Sequence, residues 1–159
     1  MDLHIYRENL HDRLVKDTTK HHALYFIRSP PKIFSTPSKP VYRGGSELSP
    51  QIATICKSGH LFPMFRVKLK DTQVTLNASK SDPERYSFDA DGKEYVWETD
   101  ENLYQGDTGK IVARFVRTGF GVKKMGVLSI FGDGLDIVDI VVLTAVAMQY
   151  HWEEIRRKE

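Results

Sequence analysis

One long apolar segment near the C-terminus limits the possible folds more than any other feature of the chain. From Gly134 to Lys158 there is no proline and no internal glycine, and the apolar residues are Leu135, Ile137, Val138, Ile140, Val141, Val142, Leu143, Ala145, Val146, Ala147 and Met148. A helix of this composition is apolar on nearly all sides, which is typical of a helix inside a protein core or a membrane. A membrane span needs about 20 predominantly apolar residues, whereas the run after Asp139 is broken by Thr144 and ends at Gln149. We therefore predict a buried core helix over about residues 134–157.

Short runs of aromatic and β-branched residues, separated by turn residues, fill the chain from residue 23 to residue 131. The segment Met64–Lys70 alternates apolar and polar residues, which is the mark of a half-buried strand. Two hairpins are predicted at Asp89–Gly92 and Gly106–Gly109, where glycine can adopt a positive φ. About nine strands at this spacing are typical of a β-sandwich or a barrel.

A sheet curled around the helix would satisfy both parts of the sequence. An antiparallel sheet must hide one face, a helix apolar on all sides needs cover everywhere, and closure removes exposed strand edges. We therefore predict a mainly β (α+β) fold, a closed or strongly curled antiparallel β-barrel around one buried C-terminal helix. This single domain covers residues 23–159, and the polar residues 1–22 are expected to form a variable N-terminal arm.

Several segments resemble an uncharacterised domain family that is abundant in mushroom-forming fungi. They are YSFDADGKEYVWE, GKIVARFVRTG, GVLSIFGDGLDIVDIVVLTAVAM and the terminal EEIRRK, and the most specific part is the hairpin with Asp91, Gly92, Tyr95 and Trp97. That family is similar to the tubby C-terminal-like superfamily, which also holds the plant LURP-one-related proteins and the phospholipid scramblases. The resemblance, over roughly residues 23–157, implies a closed antiparallel barrel around a central C-terminal helix. It also suggests a role at lipid surfaces, because tubby domains bind phosphoinositides and scramblases act at membranes.

Basic residues in two of the predicted strands and one loop are candidates for binding an anionic headgroup. In the alternating strand, Arg66, Lys68 and Lys70 share the face opposite Phe65 and Val67. We hypothesise that these cations form one patch with others further along the chain. The full candidate set is Arg66, Lys68, Lys70, Arg114, Arg117, Lys123 and Lys124. Such a patch can hold a lipid phosphate, although a solvated outer face would also keep these residues polar.

No motif in the sequence predicts catalysis, a metal site or a cofactor. His21–His22 and the pair Cys56 and His60 do not supply the four convergent ligands of a zinc site. The carboxylate clusters lie in a predicted hairpin turn and at a predicted helix start, where Asp is favoured for turns and caps. They are Asp89, Asp91 and Glu94, and Asp133, Asp136 and Asp139. Aromatic residues in the strands could line a groove, but packing explains them more simply. They are Tyr25, Tyr42, Tyr86, Tyr95, Trp97 and Tyr104.

Charge and cysteine content narrow the class of protein. The chain has 23 basic and 21 acidic residues and a net charge of +2, which does not favour nucleic-acid binding. Its one cysteine, Cys56, excludes an intrachain disulfide and fits a reducing compartment. The first ten residues carry charges and no apolar core, unlike a secretory signal. We expect a cytoplasmic protein that can also be peripheral at a membrane.

Three functional hypotheses follow from these observations. The first is a non-enzymatic binding module for anionic phospholipid or phosphoinositide headgroups. The alternative is a protein-interaction or structural domain without a small-molecule ligand, which would use residues 1–20 and the loop Pro30–Pro40 as its contact surface. The second alternative is a scramblase-like membrane protein that uses residues 134–152.

Overall fold

The computed structural model describes residues 1–9, 11–30, 38–59, 63–79, 81–119 and 123–158, and these residues form twelve β-strands and two helical segments. The strands are β1 (Asp2–Arg7), β2 (Arg13–Lys16), β3 (Ala23–Ile27), β4 (Ser38–Arg43), β5 (Gln51–Ser58), β6 (Met64–Leu69), β7 (Gln73–Ala78), β8 (Tyr86–Ala90), β9 (Lys93–Trp97), β10 (Asn102–Gln105), β11 (Ile111–Arg117) and β12 (Lys124–Ile130). A 3₁₀ helix spans Gly132–Ile137, and the helix α1 spans Val138–Lys158.

The twelve strands form one closed antiparallel barrel. Strands that are neighbours in the chain are neighbours in the barrel, and β12 pairs with β1 to close it. The predicted antiparallel barrel is confirmed. Because every strand has a hydrogen-bonded neighbour on both sides, the sheet presents no open edge.

The helix α1 passes through the interior of the barrel. Nine consecutive residues, Val141–Gln149, are buried, and nine residues make more than two full helical turns, so every side of this stretch is covered. The helix also contacts both β12 and β6, which lie on opposite walls. The prediction of a buried core helix is therefore confirmed. In the described part of the chain, no helix is long and apolar enough to cross a membrane.

The expectation of an N-terminal arm outside the domain is wrong for most of residues 1–22. This segment supplies β1 and β2, which lie between β12 and β3 and complete the ring. Leu3 and Ile5 point inward and are 1% and 0% exposed. These strands were not predicted because charged and polar residues surround the few apolar residues of β1, and because β2 has only four residues and its inward-facing Arg13 breaks the apolar alternation.

The start of the helix differs in detail from the prediction. The residues before Val138 form a 3₁₀ helix, whose N-cap residue Phe131 makes no side-chain capping hydrogen bond. Two of the carboxylates at the predicted helix start, Asp133 and Asp139, have partners on the strands. Asp133 lies 3.3 Å from the ammonium group of Lys93, so it ties this end of the helix to β9.

The enclosed position of α1 predicts that a charge in its centre prevents folding. Val142 is 0% exposed, so Val142→Asp would place an unpaired carboxylate in the barrel interior, at a cost of several kcal/mol, comparable to the whole stability of a typical domain. We expect no folded soluble protein from this variant. The control is Val116→Asp on the outside of β11, where valine is 54% exposed and the cost should be about 1 kcal/mol or less. Circular dichroism and soluble yield report the folding of both variants. A folded Val142→Asp protein would contradict the enclosed helix.

Candidate functional site

The strand β6 and the residue after it carry three cations on the outside of the barrel, Arg66, Lys68 and Lys70, which we call the basic row. All three are exposed, whereas Phe65 and Val67 point inward and are 3% and 0% exposed. The alternation predicted for this strand is therefore confirmed. Since alternate residues of a strand lie roughly 7 Å apart, Arg66 and Lys68 are about 7 Å apart, and Lys70 follows in the turn to β7.

The surface around the basic row is neutral and can form hydrogen bonds. The strands β5, β6 and β7 contain no Asp or Glu, and Asp71 lies in the turn between β6 and β7. Among the described residues, none pairs with a cation of the basic row. The cross-strand neighbours, in the order β5, β6, β7, are Cys56–Arg66–Thr75 and Thr54–Lys68–Gln73. An anion above Arg66 and Lys68 would meet cations and hydrogen-bonding side chains without a carboxylate on the same three strands, whereas Lys70 lies beside Asp71.

The other four predicted binding residues lie on the far side of the barrel. They belong to β11, β12 and the residue before β12, and at least four strands separate these strands from β6 in either direction. The prediction that Lys123 and Lys124 extend the basic row is therefore wrong. Three of the four already have partners, which are Asn102 for Arg114, Glu101 for Arg117 and Glu8 for Lys123.

Charged side chains also point into the barrel where α1 ends, which we call the lower end. Arg7 of β1 and Arg13 of β2 contact the two carboxylate oxygens of Glu153, at 3.0 and 2.9 Å. Arg13 is only 1% exposed and also donates to the backbone carbonyls of His11 and Asp12. The sequence analysis missed this cluster. The signal that could have found it is a pair of arginines at inward positions near one end of two adjacent strands.

A second group at the lower end surrounds Tyr150. The Arg13 guanidinium and the Lys39 ammonium each lie 4.6 Å from the centre of its ring, and its hydroxyl donates to the carbonyl of His11 at 2.5 Å. Burial raises the pKa of Tyr150 above its ordinary value. These contacts hold β2, β4 and the last turns of α1 together, so we assign them a structural role.

His151 is a buried histidine at the lower end, and its pKa is strongly lowered. Its ring contacts Phe65 and Tyr86, with ring centres 5.6 and 5.0 Å away. Burial, and to a lesser degree the charge of Lys57, lowers the pKa of His151 from 6.5 to about 4. The charge of Glu154, which pairs with Lys57 at 2.6 Å, acts in the opposite direction.

At the upper end, where α1 begins, one carboxylate ties the helix to two strands. Asp139 accepts hydrogen bonds from the Arg43 guanidinium, at 2.8 and 3.1 Å, and from the hydroxyl of Tyr25. Burial raises the pKa of Asp139, but the hydrogen bonds from Arg43 and Tyr25 outweigh it, so the pKa lies below its usual value. The negative charge lies in the first turn of α1, where the helix dipole favours it.

A small cleft opens at the lower end between α1 and the turns of β7–β8 and β9–β10. Its volume is about 130 Å³, and Trp152 and Ile155 form its apolar side. The charged residues that line it have both signs, and they are Glu84, Glu101, Arg117 and Arg156. Ligand pockets for drug-sized molecules usually measure about 300–1,000 Å³, so this cleft is a weaker candidate site than the basic row.

The described residues contain no group of three or more His, Cys, Asp or Glu side chains arranged to hold a metal ion. His60, the partner considered for Cys56, lies outside the described residues. Most of the strand aromatics pack in the core, as packing predicts, and the indole of Trp97 donates to the hydroxyl of Thr144 at 3.1 Å. The core members are Tyr25, Tyr86, Tyr95 and Trp97, all at most 2% exposed.

Comparison with known families places the chain in a group defined by sequence. A family model described as a family of unknown function (DUF6593) matches residues 8–154. The chain belongs to this family. The match begins in the hairpin between β1 and β2 and ends inside α1, so it includes most of the barrel and most of the enclosed helix. Neither the curated proteins nor the solved structures contain a match to the chain.

The lowered pKa of His151 predicts a loss of stability in mild acid. Because the pKa of His151 is lower in the folded protein than in the unfolded chain, the unfolded chain takes up the proton at a higher pH. The contribution of His151 to the free energy of unfolding is therefore fully present above pH 6.5 and decreases as the pH falls towards 4. The loss from this residue is on the order of 3 kcal/mol. The variant His151→Phe, which keeps an aromatic ring, should reduce the dependence of urea unfolding on pH over this range, and the part due to buried His4, whose pKa burial also lowers, should remain. The exposed control His22→Gln should retain it, and equal slopes in all three proteins would contradict the assignment.

Proposed function

We propose that this chain is a non-enzymatic binding module that attaches to anionic phospholipid headgroups, phosphoinositides among them, through the basic row. One observation carries the proposal. Arg66 and Lys68 on β6 and Lys70 in the turn that follows are exposed and unpaired among the described residues, and β5, β6 and β7 contain no carboxylate. Like charges in a row repel one another in the free protein, and an anionic surface relieves this repulsion.

The distribution of charge around the barrel supports one direction of approach. On the outside of the adjacent β8–β9 hairpin, Asp89 and Glu94 lie directly opposite each other. This acidic pair would be repelled by an anionic surface, whereas the face of β5–β7 would be attracted to it. The barrel therefore has a preferred side for such a surface.

The size of the basic row sets the strength of the interaction. Near an anionic membrane each Lys or Arg contributes about 1 kcal/mol, so three contribute about 3 kcal/mol. Such binding is weak and reversible, and it is further reduced by salt because the Debye length is about 8 Å at physiological ionic strength. A module of this kind would be peripheral and exchange between the membrane and the surrounding solution.

The resemblance to the tubby C-terminal-like superfamily supports the same proposal. A closed antiparallel barrel around a C-terminal helix is compatible with that fold, and tubby domains bind phosphoinositides. The basic row would then serve as the headgroup site of this chain.

A second candidate function is protein binding, favoured by an apolar row on another side of the barrel. On the outer face of β1–β4, Tyr6, Leu14, Phe26 and Tyr42 are cross-strand neighbours, and Leu14 among them is buried, at 7% exposed. Phe26 and Tyr42 are half-buried, with ring centres 6.2 Å apart. Phe26→Ser should reduce capture of a protein partner while leaving liposome binding unchanged if this row is a contact surface.

Replacing the basic row should remove binding to anionic vesicles without unfolding the barrel. In the triple variant Arg66→Gln, Lys68→Gln, Lys70→Gln we expect flotation with phosphatidylcholine–phosphatidylserine or phosphoinositide vesicles to be lost, because the attraction of about 3 kcal/mol is lost. Exposed surface substitutions usually change stability within about 0.5 kcal/mol each, so the thermal midpoint should change little.

The matched control removes the same number of cations from the far side of the barrel, with Arg114→Gln, Lys123→Gln and Lys124→Gln. This variant should float with anionic vesicles nearly as well as the wild type. Equal losses in both variants would show that net charge, and not the basic row, drives binding. If the wild type does not bind anionic vesicles at low salt, the lipid proposal is wrong.

A further inference from the structure

The loop between β4 and β5 presents one apolar side chain almost completely to solvent. Leu48 is 95% exposed, whereas the next most exposed large hydrophobic residues among those described, Met1 and Val116, are 55% and 54% exposed. Single exposed hydrophobic residues are common on protein surfaces. Exposure alone therefore does not make Leu48 a contact residue. Such a role depends on the hydrogen bonds of its loop and on the neighbouring strands.

The backbone of this loop is held by a set of hydrogen bonds. Its two ends are joined by the bond from the Arg43 amide to the carbonyl of Pro50, at 2.8 Å. At the tip, the amide of Leu48 donates to the hydroxyl of Ser46 at 3.2 Å, and the amide of Ser49 donates to the carbonyl of Ser46 at 3.0 Å. These bonds form a turn that holds the leucine backbone at the outermost point of the loop.

Two further contacts hold the loop against the barrel wall. The amide of Gly44 donates to the carbonyl of Leu24 in β3, and Glu47 pairs with Arg28 at 2.8 Å. Gly44 has a φ of +140°, and a Cβ at this position would lie 2.4 Å from the hydroxyl oxygen of Ser49. The loop can therefore close only with glycine here. The ion pair also neutralises the carboxylate that precedes Leu48.

The loop lies at the upper end of the barrel, where the basic row finishes with Lys70, and it contacts the β3 side of the wall. It leads directly into β5, which is hydrogen-bonded to β6, and adjacent strands are about 4.8 Å apart. Ala53 of β5 pairs with Leu69 of β6, so the residues before Ala53 lie level with the end of β6 where Lys70 follows. The end of the loop that enters β5 and the end of the basic row at Lys70 therefore lie at the same rim of the barrel.

We infer that Leu48 inserts into the lipid bilayer while the basic row contacts the headgroups, so that the partner is a membrane surface and not a soluble anion. This inference rests on the proposed function. Three cations alone give only weak attachment, and stable anchoring of peripheral proteins usually combines an apolar insertion with a basic patch. Leu48 supplies the apolar part, and the hydrogen-bonded loop reduces the ordering that insertion would otherwise require.

A fluorophore at position 48 tests the insertion directly. Because Cys56 is the only cysteine, the double variant Cys56→Ser, Leu48→Cys accepts a single nitrobenzoxadiazole label. On adding phosphatidylcholine–phosphatidylserine vesicles we expect its emission to rise and shift to shorter wavelength. The matched control, Cys56→Ser with Val116→Cys, carries the label at an exposed valine on the opposite side and should show no change. Unchanged emission at position 48 in protein that is bound to the vesicles would overturn the insertion.

Affinity measurements separate this inference from the proposed function. We expect Leu48→Ser to weaken vesicle binding about tenfold, which corresponds to about 1.4 kcal/mol. Binding of a soluble inositol phosphate, followed by calorimetry, should be the same in Leu48→Ser and in the wild type. If Leu48→Ser binds vesicles as well as the wild type, the insertion is wrong and the headgroup proposal stands. If the wild type binds neither vesicles nor inositol phosphate, both fail.

Discussion

The structure depends on the need to cover a helix that is apolar on every side. A single layer of sheet could cover only one side of α1, whereas the closed ring of twelve strands covers all of them. Three successive residues show this enclosure. Tyr150 contacts β2 and β4, His151 contacts β6 and β8, and Trp152 contacts β9. Closure in turn makes the inward positions of each strand apolar along the middle of the helix and leaves the outward positions free for other roles.

The parts of the fold that depend on local pattern could be predicted from the sequence. The alternation in β6 and the composition of α1 each identify their element without reference to the rest of the chain. The role of β1 and β2 could not be predicted in this way, because it rests on contacts between distant residues. Arg13 is tolerated inside the barrel only because Glu153, 140 residues later, meets it there. A reading of residues 1–22 alone contains no sign of that carboxylate.

The candidate site shows the same division. Strand alternation correctly indicates that Arg66 and Lys68 share an outward face, because this depends only on the period of a strand. It cannot indicate which strands lie side by side around a closed ring. Lys123 joins the predicted patch only if β12 lies near β6, and a barrel of twelve strands places them on opposite walls. The number of strands therefore decides the geometry of the patch, and the number itself depends on β1 and β2.

The ends of α1 explain why a count of cations is a poor guide to binding in this fold. Carboxylates near the start of the helix and cations around its end suit the helix dipole, and Asp139, Arg7 and Arg13 are all used in this way. Their charges are neutralised by partners inside or at the rim of the barrel, so they offer little attraction to an external anion. The basic row differs because its side chains point away from the helix, on strands that contain no carboxylate. Its charge is therefore not needed to hold the barrel together. Cations that do not contribute to folding can be retained or replaced by substitution according to what the surface binds.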